Sequence, residues 1–426
     1  MRNSSPKKLN FSQCLAIGLG NIIGAGIFVL AGTTIDAAGP SAILAFILTA
    51  ILATTVGLNS AELSSKFPKV EGGVYSFAKV ILGDTVGFLV GFLRLISYAI
   101  SGSAVALGFS GYLVAFNLPI FLYYPIAAVL IVILGLIEMH GLRFTAKFEQ
   151  IFVAFNIIGL VIFSLVAILY SHYNPNNFYP FAPYGLNGIL QASAIAFFAY
   201  SGFNTIATLT PDVENGEKVV PKAIIASLFI SSSLYILVIV SLLLAMNWGF
   251  YGLQSNPLSI ALSSIHAPYW VVLIVGLSAL TSTLSVTLSL IVAGSRTLKQ
   301  MATDALLPNY LGRNNKISTA IIIFIMLLSL FLGNVESIAL VANFGVIFSY
   351  LLSGIEVFFA RRRKIKSTFN SPGYPAIQIL SIALSSLMLI VLGNLSLELG
   401  ILTLIAGLII HVIHEEIKSN RKILNK

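Results

Sequence analysis

Charge is the first thing this sequence has little of. Only 9% of its 426 residues are Asp, Glu, Lys or Arg, against 57% hydrophobic, and the mean hydropathy is +0.95. A soluble chain needs about a quarter of its residues charged. So few charges cannot cover a water-facing surface of this size, which leaves lipid as the solvent for most of the exterior. Cysteine is nearly absent too: Cys14 alone permits no intrachain disulfide and no cysteine-based zinc site. Asp and Glu total 15 against 24 Lys and Arg, a net charge of +9. Such an excess can signal nucleic acid, but the placement of the charges explains it otherwise. No Ser-His-Asp set, paired carboxylates or phosphate loop stands out, and the apolar stretches hold no His or acidic cluster of the kind a membrane-embedded enzyme needs.

What the chain has is apolar length. Runs of about 20 residues each cross a bilayer as a helix. Twelve are expected, at roughly 12–36, 41–63, 83–115, 121–140, 146–171, 187–212, 222–247, 267–300, 317–334, 336–360, 374–393 and 395–414. The first, from about Cys14 to Ile35, is too long for the core of a cleavable leader and reads as a retained span. The connections are short, so one all-α polytopic membrane domain accounts for residues 1–426.

With twelve spans and both ends cytoplasmic, the basic residues sort to one side. The N-terminal tail carries Arg2, Lys7 and Lys8, and the five inner loops carry Lys66, Lys69, Lys79, Arg143, Lys147, Lys218, Lys222, Arg296, Lys299, Arg313, Lys316, Arg361, Arg362, Arg363, Lys364 and Lys366. The C-terminal tail adds Lys418, Arg421, Lys422 and Lys426. That is 23 of the 24; Arg94 lies inside the third span. The positive-inside rule explains this separation, and anionic lipid headgroups are the expected neighbours of the clusters, with no nucleic-acid role.

The first span contains Gly18-Leu19-Gly20-Asn21-Ile22-Ile23-Gly24-Ala25-Gly26-Ile27-Phe28. Each glycine weakens a helix by about 1 kcal/mol relative to alanine. Gly20 and Gly24 at GxxxG spacing fit a tight helix–helix contact; the same residues fit an interrupted helix whose bare backbone lines a cavity. Glycine content leaves both open. An interruption would present N–H groups near Ala25 and Gly26 to an anion, and carbonyls near Ile22 and Ile23 to an ammonium. The sixth span has a comparable passage, Phe197-Phe198-Ala199-Tyr200-Ser201-Gly202-Phe203-Asn204. Matching interruptions in two halves point to inverted repeats around a midplane site.

These residues resemble the amino acid–polyamine–organocation family of transporters. The similar blocks are the glycine passage of span 1; Ala61-Glu62-Leu63 through Phe67-Pro68 to Gly72-Gly73-Val74-Tyr75, with Gly87-Phe88 and Gly91-Phe92; and Phe197-Phe198-Ala199-Tyr200 through Gly202-Phe203 to Asn215 and Pro221-Lys222-Ala223-Ile224. Gly294-Ser295-Arg296, Met301, Asp304 and Leu307-Pro308 complete the match. The resemblance implies a LeuT-type fold, with spans 1–5 (12–171) and 6–10 (187–360) as inverted repeats and spans 11–12 (374–414) peripheral. It implies alternating-access transport of an amino acid, with the α-carboxylate near Ala25, Gly26 and Ile27 and the α-amine near the Ile22, Ile23 and Gly24 backbone with Phe198, Ala199 and Ser201. Phe198 would be an aromatic gate.

Three departures from the family's pattern bear on substrate and coupling. Asn156 stands where proton-coupled relatives carry Lys, so it supplies no switchable charge. Asn204 stands where an acidic residue is frequent, and Ser97 where cationic-amino-acid carriers tend to have Glu. A pocket without either carboxylate has nothing to pair with a cationic side chain, which predicts a neutral substrate. Span 8 carries Thr281, Ser282, Thr283, Ser285, Thr287 and Ser289. Hydroxyls there usually bond neighbouring helices; by resemblance a sodium site would fall near Gly20, Ile23, Thr281 and Ser285. Coupling to H+ or Na+, or sodium-independent exchange, all stay open, as do an amino-acid receptor or sensor and a polyamine or cationic amino acid carrier on the same fold. Neither a cofactor nor a firm metal site is expected. His411, His414, Glu415 and Glu416 read as the solvated end of the last span, and the oligomeric state is not legible.

Arg94, Ser97, Tyr98 and Ser101 recur at helical spacing and share one face. A charge at a helix centre costs about 2.5–3.5 kcal/mol on the insertion scale. The sequence favours an Arg94 that snorkels to the cytoplasmic interface, about 16 Å from Gly83 at 1.5 Å per residue. The alternative is an inner gate in which it pairs with Glu62 or Glu356.

Overall fold

A computed structural model describes residues 8–70, 73–115, 118–140, 146–252 and 255–424 of the chain. Arg2, Lys7, Gly72, Arg143 and Lys426 therefore lie outside the described residues. Among those described the architecture is all-helical, apart from one isolated bridge between Leu9 and Val213.

The helices in chain order are α1 (Phe11–Ile22), α2 (Ala25–Ala38), α3 (Ala42–Lys66), α4 (Val74–Leu82), α5 (Asp84–Val114), α6 (Tyr123–Met139), α7 (Ala146–Tyr170), α8 (Gly185–Tyr200) and α9 (Thr205–Thr208). Then come α10 (Gly216–Ala245), α11 (Pro257–Ser264), α12 (Tyr269–Thr303), α13 (Tyr310–Arg313), α14 (Asn315–Ser329), α15 (Val335–Arg362), α16 (Ala376–Val391) and α17 (Asn394–Leu424). Among the described residues, ten apolar stretches are long enough to cross a membrane; the first, Phe11–Lys66, contains α1, α2 and α3, while the apolar α16 is shorter than the rest. The chain is a multi-pass membrane protein. Every expected apolar run falls on one or more of these helices, and α4, α11 and the short α13 are additional elements in connections read as loops.

Burial explains the layering. α5 is largely enclosed, and α12, α15, α3 and α10 pack closely around it or one another. α6, α7 and α17 instead expose large apolar side chains such as Ile133, Leu165, Leu169, Leu402 and Ile409. In a chain this apolar, such faces meet lipid.

On the side bearing the basic loops, polar contacts tie distant segments together. Glu62 is fully buried at the end of α3, and its carboxylate accepts from Arg361 Nε at 2.8 Å and Nη2 at 2.7 Å. It also accepts from Ser371 N at 2.9 Å and Ser371 Oγ at 2.7 Å, with Lys66 Nζ at 3.3 Å. The Arg361 guanidinium lies 4.3 Å over the Tyr374 ring. Nearby, Asp304 accepts from the Tyr75 hydroxyl and pairs with Lys79 at 3.1 Å. Burial and the Asp304 charge push the Tyr75 phenol well above its ordinary pKa, so it stays a neutral donor. The N-terminal segment is strapped to the connection after α9: Leu9 N donates to Asp212 O and Glu214 N to Leu9 O, each at 2.9 Å.

Candidate functional site

The glycine passage of the first span breaks its helix. α1 ends at Ile22, and Ile23 (φ −77°, ψ 73°) makes an inverse γ-turn in which Gly24 N donates to Ile22 O at 2.8 Å. Gly24 is extended (φ −122°, ψ −150°), and α2 starts at Ala25 with no side chain capping its first N–H groups. The donors of Ala25, Gly26 and Ile27 are thus orphaned at the positive end of a 14-residue helix. The tight-contact reading holds as well: a Cβ on Gly20 would meet Val153 of α7 at 2.8 Å, and one on Gly24 would meet Val286 of α12 at 2.7 Å.

The second break is of another kind. α8 ends at Tyr200, and residues 201–204 form tightened turns rather than unwound chain, with Ser201 N donating to Phe198 O at 3.3 Å and Thr205 N to Gly202 O at 3.2 Å. The two breaks touch through glycine. A Cβ on Gly26 would overlap the Ala199 backbone, and one on Gly202 would overlap the Asn21 carbonyl. Only a residue without Cβ permits either approach.

Hydroxyls from three neighbouring helices stand against the carbonyls of this region. Tyr235 of α10 donates to Ile22 O at 2.6 Å and lies 3.1 Å from Ala199 O. Ser282 of α12 donates to Ile23 O at 2.8 Å, and Tyr350 of α15 to Ser201 O at 2.8 Å. This corrects the expectation of open carbonyls for an ammonium. Ile22 O already takes two donors, its full complement, whereas Ile23 O takes one and keeps a lone pair.

Between the breaks lies a cavity lined by Asn21, Ile22, Gly24, Gly26, Arg94, Tyr98, Ser101, Phe198, Ser201 and Thr205, closed on its apolar side by Val105, Val286, Leu290 and Val346. It offers about 40 Å³ to water centres. One water needs roughly 10–15 Å³ on that measure, so this conformation is contracted, and a larger molecule enters only if the walls part.

The remaining expected site residues are distributed as follows. Ile23 and Ile27 are fully buried, and Ala199 packs on Gly26. Ala25 contributes backbone at the start of α2. Asn204 is buried beside the Tyr350 hydroxyl. Ser97 turns away to pack on Gly345 of α15. Asn156 and Thr281 meet at 2.9 Å, and with its amide nitrogen toward α12 Asn156 also donates to Ser278 O at 3.0 Å. Gly20 packs on Val153 and Glu149 of α7. It is Ser282, the residue between Thr281 and Ser285's helical turn, that reaches Ile23. Sequence reasoning missed Tyr235 and Thr205; Tyr235 sits in an ordinary apolar run with no local signal. Val286 and Leu290 carried one, their i, i+4 spacing along α12.

Arg94 overturns both readings of the sequence. It is 3% exposed and lines the cavity, so it does not snorkel to an interface. Nor does it pair with Glu62, which is taken by Arg361 and Lys66. Glu356 is fully buried, and neither of its oxygens has a hydrogen-bond partner among the described residues. Arg94 Nη2 donates to Tyr98 Oη at 2.8 Å, and the guanidinium carbon lies 4.7 Å from the Tyr98 ring centre and 5.7 Å from that of Tyr350. Cation–π contact of this kind stabilises a desolvated cation by about 2 kcal/mol, less than the insertion cost.

An amino acid permease family profile matches residues 9–410. The chain is 27% identical to the branched-chain amino acid permease BcaP of Bacillus subtilis over 96% of this chain and 93% of that protein. It is 30% identical to the methylthioribose transporter of the same bacterium over 89% of this chain and 87% of that protein. With the mitochondrial cationic amino acid transporter 3 of Arabidopsis thaliana it shares 32% identity over 73% of this chain and 54% of the relative. Broken helices around a shared cavity and a match over nearly the whole length agree: the chain belongs to the amino acid permease family, within the amino acid–polyamine–organocation transporters.

Proposed function

We propose that this protein is a secondary-active transporter that carries amino acids across the cell membrane by alternating access, with both termini cytoplasmic. One observation carries the reading: the uncapped N-terminus of α2 opens on the same small cavity as Phe198 and Ser201. Orphaned N–H groups at a helix N-terminus bind a carboxylate. The free lone pair of Ile23 O and the carbonyls around the α8 break supply acceptors for the α-ammonium. Phe198, 7% exposed, covers the cavity as a gate.

Twelve crossings follow if Phe11–Lys66, one of the ten long stretches, counts as two crossings and α16 adds one more. Residues 12–171 and 187–360 then form the inverted repeats, each opening on a broken helix, and 374–414 the peripheral pair. The relatives' names span branched-chain and cationic amino acids and a sulfur-containing sugar, so family membership leaves the side chain open. No carboxylate lines the cavity among the described residues, which disfavours cationic side chains; the neutral substrate predicted from Ser97 and Asn204 meets that condition, and so does an acidic one. Uptake of a radiolabelled amino-acid panel into proteoliposomes, with and without pH and sodium gradients, tests the reading. Saturable flux of at least one amino acid supports it; binding without flux would favour a receptor, and preference for Lys or Arg would reject the pocket assignment.

A further inference from the structure

Resting on that reading, and going beyond the uncharged side chain it starts from, we propose that the protein selects amino acids with a carboxylate side chain, and that Arg94 is the residue that selects them. Among the described residues Arg94 is the only Lys or Arg of the cavity lining, it is 3% exposed, and it enters no salt bridge. Its Nη1 meets hydrogen-bond geometry with no described atom, although the Tyr350 ring lies alongside. Tyr98 and Tyr350 hold the guanidinium by their ring faces and their neutral hydroxyls, which orients it without neutralising it.

An always-charged, preorganised fork with a donor left over is suited to a carboxylate that accepts two N–H bonds. The α-carboxylate has its own place at the α2 N-terminus. A cavity with two anion anchors and no carboxylate of its own matches a ligand with two carboxylates and one ammonium. Side chains ending in an amide have the shape but not the charge, and cationic ones are repelled.

The protein's own carboxylates do not compete in this conformation. Glu62 is saturated by Arg361, Lys66 and Ser371. Glu356 lies six residues along α15 from Tyr350, and among the described residues no salt bridge joins it to Arg94.

The test uses the full-length protein in proteoliposomes, measuring counterflow of radiolabelled aspartate, glutamate, asparagine, glutamine, leucine and lysine for wild type, Arg94→Gln and Arg94→Lys. Wild type should prefer aspartate or glutamate to the matching amide by about tenfold or more. Arg94→Gln should lower aspartate and glutamate counterflow about tenfold more than that of the matching amides, and Arg94→Lys should restore part of the difference. Equal loss for every amino acid in Arg94→Gln, with protein of normal yield and melting temperature, would assign Arg94 to the transport cycle and overturn the proposal. Recovery of flux in Arg94→Gln/Glu356→Gln would do the same by identifying a gate pair. A wild type that carries leucine or amides but neither acid overturns this inference alone; a wild type that moves no amino acid overturns the transporter reading with it.

Discussion

The phenol oxygen of Tyr235 lies 2.6 Å from the carbonyl oxygen of Ile22 and 3.1 Å from that of Ala199. A side chain of α10 therefore joins the ends of two helices that are 177 residues apart in sequence, Ile22 closing α1 and Ala199 lying one residue before the end of α8. The ring is fully buried, edge-on to Tyr200 at 5.1 Å and to Phe46 at 6.0 Å between centroids.

Tyr235→Phe keeps those ring contacts and removes only the hydroxyl. Leaving a buried acceptor with one donor fewer costs about 1–3 kcal/mol. The expected result is a lower melting temperature in detergent together with altered substrate affinity, because the Ile22 carbonyl regains a free lone pair beside the cavity. Unchanged melting and unchanged uptake would show that the bond contributes nothing.

Gly26→Ala and Gly202→Ala test the crossing of the breaks. In each, the new methyl overlaps backbone rather than the tip of a flexible side chain, so relief requires the helices to separate. Both variants should lose uptake, and overpacking of this kind costs about 1–3 kcal/mol. Gly249→Ala is the control, since its Cβ would meet only Asn247 Oδ1, at 3.4 Å. Uptake assays at matched protein level distinguish them; equal behaviour of the three would remove the crossing from the account.

Glu62→Gln removes a fully buried negative charge and leaves buried Lys66 and partly buried Arg361 without their partner. Removing one member of a buried pair costs about 3–5 kcal/mol, so the variant should be among the least stable single substitutions. Arg361→Lys should fall between it and wild type, since it keeps the charge but loses the two parallel bonds at 2.8 and 2.7 Å. Thermal stability in detergent ranks the three, and an Arg361→Lys no better than Glu62→Gln would contradict the bidentate argument.

Asn156 carries no ionisable group and spends its amide on Thr281 and Ser278. Asn156→Ala should therefore slow uptake without changing its dependence on an imposed pH gradient. A gradient dependence that vanishes in the variant would place coupling at this residue. Because the Ser282 hydroxyl donates its proton to Ile23 O and the Thr281 hydroxyl lies against Asn156, replacing sodium by choline should leave the wild-type rate unaltered. A sodium-dependent rate would require Ser282 to turn away from Ile23.

The helices were legible because each rests on a local property. A run of apolar residues is a span wherever the rest of the chain lies, and the glycines of the first span weaken the helix where it breaks, at Ile23 and Gly24. The periodicity that puts Arg94, Tyr98 and Ser101 on one face also put them in one cavity. What faces them was not legible. The partner of Glu62 is Arg361, 299 residues away, and the rings around Arg94 include Tyr350 from α15. Such contacts depend on how helices pack, and an apolar helix such as α10 reads alike whether its tyrosine meets lipid or a carbonyl. Ser97 shows the limit of the face argument, since a position one turn from Arg94 on the same helix looks toward Gly345 instead.

The close approach of Gly26 to Ala199 and of Gly202 to Asn21 has a mechanical meaning. Two rods that touch at their midpoints, backbone to backbone, can swivel about that point while their far ends sweep widely. A fulcrum placed there keeps whatever rests on it nearly still as each arm moves. Under the alternating access proposed above, opening toward one side or the other becomes a matter of which arms swing, and the cargo need not travel far within the protein to find itself facing the opposite side of the membrane.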